Sequence, residues 1–174
     1  LLADIRADFS TSTGDEVTLC DTSQVVRTAL GLPDPHVDPT DYVTPSGWAL
    51  AVDAALTFSS LTNDTGVRAW AEAAAATLAP LAGDHPRYAG WGASVLVAMA
   101  DGPREVGVSA DTESAMADVV RRMTAPGAVY TFDADAPLLA GRPTVEGAVH
   151  VCRAFVCDAP TTDIATARRV LGSR

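Results

Sequence analysis

Apolar residues recur at three- and four-residue intervals through most of the first hundred positions, the spacing that puts one face of a helix against a core. LLADIRADF, at the start of the chain, carries Leu1, Leu2, Ile5 and Phe9 in this register and predicts the tail of an amphipathic helix. The segment 46–62 places Ala49, Leu50, Ala54, Leu56, Phe58 and Leu61 on one helical stripe. A second stripe, Val67, Trp70, Ala74, Leu78 and Leu81, runs through 66–83, and Gly83 supplies a stop. Segment 90–102 is almost continuously apolar and predicts a helix buried on most sides. The linkers TNDTG and GDHPRYAG are short, which predicts antiparallel helical hairpins.

The pattern changes after Gly102. REVGVSA (104–110) has alternating, β-branched character and reads as a strand. Residues 112–123 read as a helix with Thr112 as N-cap and Glu113 in its first turn. AVYTFD (128–133) is a second strand, and AVHVCRAFVC (148–157), after the Pro/Gly-rich loop 137–147, a third. A last helix covers 163–172. Strand–helix–strand order predicts a parallel βαβ unit. The expected organisation is therefore mainly α: helical hairpins over residues 1–101, then a small α/β subdomain over 102–174. No internal repeat of fixed period is present beyond the hairpins.

Composition narrows the function classes. With 174 residues and 48% hydrophobic content the chain can bury a core, and its apolar runs are too short for a membrane span. No basic-then-apolar signal segment opens it. The formal charge of −10, all of its basic residues being arginine, repels phosphate backbones, so nucleic acid is an unfavoured partner. The three cysteines, Cys20, Cys152 and Cys157, leave an odd thiol, which predicts a reduced, cytoplasmic setting. An opening helix with neither initiator methionine nor cap predicts that the chain is part of a longer protein.

Candidate chemistry gathers in DPTDYVTPSGWA (38–49). Pro45 suits a first helical turn and Thr44 its N-cap. The N–H groups of Ser46, Gly47 and Trp48 would then face an anion or a sugar hydroxyl. Asp38 and Asp41 beside them suit either acid–base work or simple complementation of the helix dipole. In RYAGWG (87–92), Tyr88 and Trp91 stand at a helix entrance and can stack on a sugar ring, whereas Trp70 lies on the apolar stripe and belongs to the core. Cys152 and Cys157, five apart on one extended strand, point to opposite faces and read as inert buried thiols. His36, His85 and His150 have no ligand spacing, and no phosphate-binding glycine loop is present, so neither a metal nor a nucleotide cofactor is expected. GxSxG is absent too, so Ser46 is no nucleophile elbow.

Three stretches carry a family resemblance. They are 21-DT-22 leading to DPTDYVTPSGWA, then 83-GDHPRYAGWG-92 with 102-GPREVGV-108, and finally 138-LLAGRPTVEGAVHVCRAFVC-157 with 160-PTTD-163. Together they resemble the C-terminal part of thioredoxin domain-containing proteins akin to spermatogenesis-associated protein 20. The resemblance implies a thioredoxin-like domain followed by an (α/α)6 toroid of the six-hairpin glycosidase type, similar to N-acylglucosamine 2-epimerases. This chain would then be a fragment: the last toroid hairpins plus the small α/β segment. Its partner would be the preceding part of the same protein, and its ligand a small carbohydrate. An epimerase- or isomerase-like activity would nominate Asp41 as acid or base, with Thr44, Ser46, Gly47, Trp48, Tyr88 and Trp91 around the substrate. The chain departs from the family's pattern at Tyr42 and Trp48, where a small polar residue is common. The rival expectation is a non-enzymatic protein-interaction module attached to the thioredoxin-like domain. A third is a free-standing small helical protein.

Overall fold

The computed structural model describes residues 1–32, 35–110, 112–123, 127–143 and 145–172. It forms two compact units, one of residues 1–56 and 65–96, the other of residues 57–64 and 97–174. Among the described residues no helix is long and apolar enough to cross a membrane.

The first unit opens with helix α1 (Leu2–Asp8) and a hairpin of β1 (Ser10–Thr13) and β2 (Glu16–Leu19). The hairpin pairs Thr13 with Glu16 across Gly14–Asp15. Gly14, at φ +63°, takes the left-handed conformation that a tight hairpin turn demands. Helix α2 (Gln24–Leu30) follows, capped by Ser23 and closed by Gly31 in the left-handed region. Then come α3 (Gly47–Thr62), α4 (Thr65–Ala75), α5 (Leu78–Asp84), a 3-10 turn at Pro86–Tyr88, and α6 (Gly90–Asp101), with α3 from residue 57 and α6 from residue 97 counted in the second unit. Helix α4 packs on β2, so that Val17 and Leu19 from the strand and Val67, Trp70, Ala71 and Ala74 from the helix are all buried. The Arg6 guanidinium lies 5.7 Å above the Trp70 ring.

The second unit is a four-stranded mixed sheet in the order β4-β3-β5-β6, with β3 Arg104–Ser109, β4 Val129–Thr131, β5 Ala148–Arg153 and β6 Val156–Cys157. Strands β3 and β4 run parallel, joined through α7 (Ala115–Arg122), while β5 pairs antiparallel with β3. Side chains alternate along strands. Val106, Val108, Val149 and Val151 therefore share one face, where Met116, Ala117 and Val120 of α7 and Ala167 and Leu171 of α8 (Ile164–Gly172) cover them. Glu105, Gly107, Ser109, His150 and Cys152 take the other face. Gly107 has no Cβ there, and the Leu139 side chain occupies that space.

The mainly-α expectation, and the partial toroid with it, is corrected: the chain is mixed α/β, 50% helical and 16% strand, with two sheets. The reason is local. Helix α4 lays part of its apolar stripe on a β-hairpin, which a ring of helices does not contain, and that hairpin falls in the stretch expected to be all-helical. Segment 66–83 is two helices, separated at Ala76–Thr77. The cap of α7 is Ser114, whose Oγ accepts from the Ala117 N–H at 3.2 Å, not Thr112. The stretch 148–157 is not one strand. It folds back through Ala154 and Phe155, both at positive φ (47° and 68°), which sets Cys152 directly opposite Cys157. The two sulfurs form a disulfide. The opposite-face argument fails because the chain reverses between them.

Candidate functional site

Asp41 is the node of the loop that enters α3. The residue is 8% exposed, and both carboxylate oxygens are engaged. Oδ1 accepts the Ser46 N–H at 2.7 Å, and Oδ2 accepts the Trp91 N–H, also at 2.7 Å. One side chain thus serves the starts of two helices, α3 and α6, where unpaired N–H groups and the positive end of the dipole favour an anion. The Asp41 N–H in turn donates to the Tyr88 carbonyl at 2.7 Å. Ser46, not Thr44, caps α3: its Oγ accepts the Ala49 N–H at 3.0 Å. Thr44 is exposed and Pro45 lies outside the helix.

The residues singled out from the sequence therefore separate by role. Asp41, Ser46, Tyr88 and Trp91 do meet, through backbone hydrogen bonds. Trp48 is buried, and its Nε1–H donates to the Ala74 carbonyl of α4 at 2.9 Å, a core contact. Tyr88 and Trp91 keep about half their surface in solvent, and the Trp91 Nε1–H reaches the Asp53 carboxylate at 3.3 Å. Asp53 was not foreseen, although it lies close after Trp48 on α3. Asp38 works locally: the Thr40 hydroxyl, then the Thr40 N–H, hold its carboxyl below the usual aspartate range. An acid that readily stays ionised is a poor proton donor.

Gly47 and Trp48 border a separate cleft of about 400 Å³, shared with Ile5, Phe9, Leu19, Cys20, Asp21 and Ala51. Its size suits a small group. Its walls are mainly apolar, with the Asp21 carboxylate at the rim, where it meets His36 Nδ1 at 2.5 Å. A sugar needs several convergent polar groups, whereas a leucine or phenylalanine side chain needs only such a slot.

Among the described residues no group of three or more His, Cys, Asp or Glu is placed to hold a metal ion. On the polar face of the second unit's sheet, His150 is buried, and burial, then the Arg142 guanidinium, pushes it below the ordinary histidine value of 6.5. It is neutral at pH 7. No protein family, no curated protein and no solved structure matches the chain.

Proposed function

We propose that the chain is a non-enzymatic interaction module, the C-terminal part of a protein of the thioredoxin domain-containing kind. Its helical unit docks against the preceding part of that same protein. The observation that carries this reading is α2. It is capped at both ends yet buries no residue, leaving Val25 and Leu30 about two-thirds exposed. Short helices are not stable on propensity alone and persist through a packed face. The apolar cleft beside α1 suits an apolar side chain of such a partner. Asp41 argues against acid–base chemistry, because both of its oxygens already hold helix N–H groups.

The test is hydrogen exchange on the full translated product against this chain alone. Amides of Gln24–Leu30 should slow at least about tenfold in the longer product, and Leu30→Glu should reverse the gain. Equal exchange in both, or a product no longer than the chain, would sink the reading.

A second reading rests on Trp91. A half-exposed indole beside the Asp53 carboxylate offers a stacking face and an acceptor for hydroxyls, which is the chemistry of carbohydrate binding without turnover. Titration with an N-acylated hexosamine should quench tryptophan fluorescence in the chain and leave Trp91→Ala unchanged; identical responses would end it. We also propose a cytoplasmic setting, supported by the free buried thiol of Cys20. The Cys152–Cys157 bridge then has to coexist with cellular thiols.

A further inference from the structure

Neither reading uses the Cys152–Cys157 bridge. It spans a hairpin with only two residues in its turn, and its cysteines are five positions apart. Chain-entropy stabilisation grows with the length of loop closed, so a bridge here contributes less as a staple than one closing a long loop. The turn has its own fastening: Glu105, fully buried on β3, accepts the Phe155 N–H at 2.9 Å. The hairpin is thus held by more than its sulfurs.

Access to the two cysteines is unequal. Cys152 is 1% exposed, whereas Cys157 is half-buried on a two-residue strand at the edge of the sheet. Its neighbour Val156 is 77% exposed. An approaching molecule meets Cys157 Sγ first. The Arg142 guanidinium lies against that same sulfur, with an Nη atom in contact. A fixed cation beside a sulfur favours its thiolate, the form that acts as leaving group and nucleophile in exchange. No residue pattern signals this contact, because Arg142 is fifteen positions from Cys157 and the turn lacks glycine and asparagine.

We infer that Cys152–Cys157 is a thiol–disulfide exchange site that takes a dithiol reductant. One thiolate of the dithiol attacks Cys157 Sγ. The Cys152–Cys157 bond breaks, and Cys152 leaves with the electron pair and takes a proton from solvent. The reductant's second thiol, deprotonated, then attacks its own sulfur in the mixed disulfide. Cys157 departs as a thiolate against Arg142, and the reductant is released as its intramolecular disulfide. Two electrons pass to the protein pair, and the reverse sequence restores the bridge.

The experiment uses the whole chain under native conditions, treated with dithiothreitol and read by alkylation and peptide mapping, with buried Cys20 as internal reference. The bridge should open while the far-UV circular dichroism is retained, and oxidised dithiothreitol should close it again. In Cys152→Ser, Cys157 should alkylate at neutral pH about tenfold faster than a free cysteine peptide, as a thiolate-favouring neighbour predicts. Adding Arg142→Met should remove that excess. Reduction only in denaturant overturns the proposal, and so does a Cys157 that alkylates no faster than the peptide. The native reduction decides by itself if either variant fails to fold.

Discussion

In the unit of residues 57–64 and 97–174, every residue of the central strand β3 is buried, whereas in the unit of residues 1–56 and 65–96 two helices contain no fully buried residue. The sheet unit closes its own core. Its valine face lies under α7 and α8, and Leu139 fills the gap left by Gly107 on the other face. The helical unit also has a core, centred on Trp48, Trp70, Ala74 and Leu78, but α1 only borders it with half-buried side chains and α2 adds no buried residue to it. The difference teaches that good local chemistry does not equal tertiary purpose. Helix α2 has the Ser23 cap and the Gly31 stop of a well-made helix. What it lacks is something to lie on.

The contrast can be broken most forcefully at Val106. Val106→Asp puts an unpaired charge at a fully buried position of the sheet unit and should cost more than about 3 kcal/mol. Hydrogen exchange should lose protection across β3, β5 and α8; an unchanged melting curve would contradict the core assignment.

Asp41 tests the helical unit in the same way. Asp41→Ala strands the Ser46 and Trp91 N–H groups and should destabilise by roughly 2–3 kcal/mol, with Asp41→Asn intermediate. A loss below about 0.5 kcal/mol in chemical denaturation would return the residue to the pool of functional candidates.

His150 gives the sheet unit a pH signature of its own. Its folded pKa lies below the ordinary 6.5, so between those two values the unfolded chain binds the extra proton. Stability is full above about pH 6.5 and should fall as pH drops through that window towards the folded pKa. His150→Gln should flatten that slope, whatever it does to absolute stability. The slope is read from denaturation midpoints at successive pH values above 5, clear of the range where Asp38 and Asp163 take up protons, since hydrogen bonds hold both below 3.8.

The smallest effect belongs to α2. Leu30→Ser should change the stability of this chain by less than about 0.5 kcal/mol, because the side chain already sits in water. A larger loss by thermal unfolding would mean that α2 leans on something within the chain.

Much of this architecture was readable in the residue pattern. The periodicity placed α3, α6 and α8, and the change after Gly102 placed β3, α7 and β4 in their parallel arrangement. What escaped has physical causes. Strand β1 is Ser-Thr-Ser-Thr, part-buried only at Ser10 and exposed beyond it, so it carries no two-residue hydrophobic rhythm. The break between α4 and α5 falls at Ala76–Thr77, four residues before Pro80, whose ring and missing N–H disrupt a continuous helix there; the unbroken apolar stripe masked that signal. The β5–β6 turn is Ala-Phe, residues that rarely take positive φ, so nothing advertised a reversal. Asp41 was noticed, but Trp91 is fifty positions away, and no spacing rule reaches that far.

Asp41 also constrains how this protein can change over evolutionary time. A lineage that dropped the carboxylate would orphan two amides at once, and no single replacement elsewhere repairs both. Because the acid holds backbone N–H groups, positions 46 and 91 can exchange side chains without loosening it so long as neither becomes proline, whereas the loop from 42 to 45 should resist insertions, since each added residue would pull the acid off one of its two anchors.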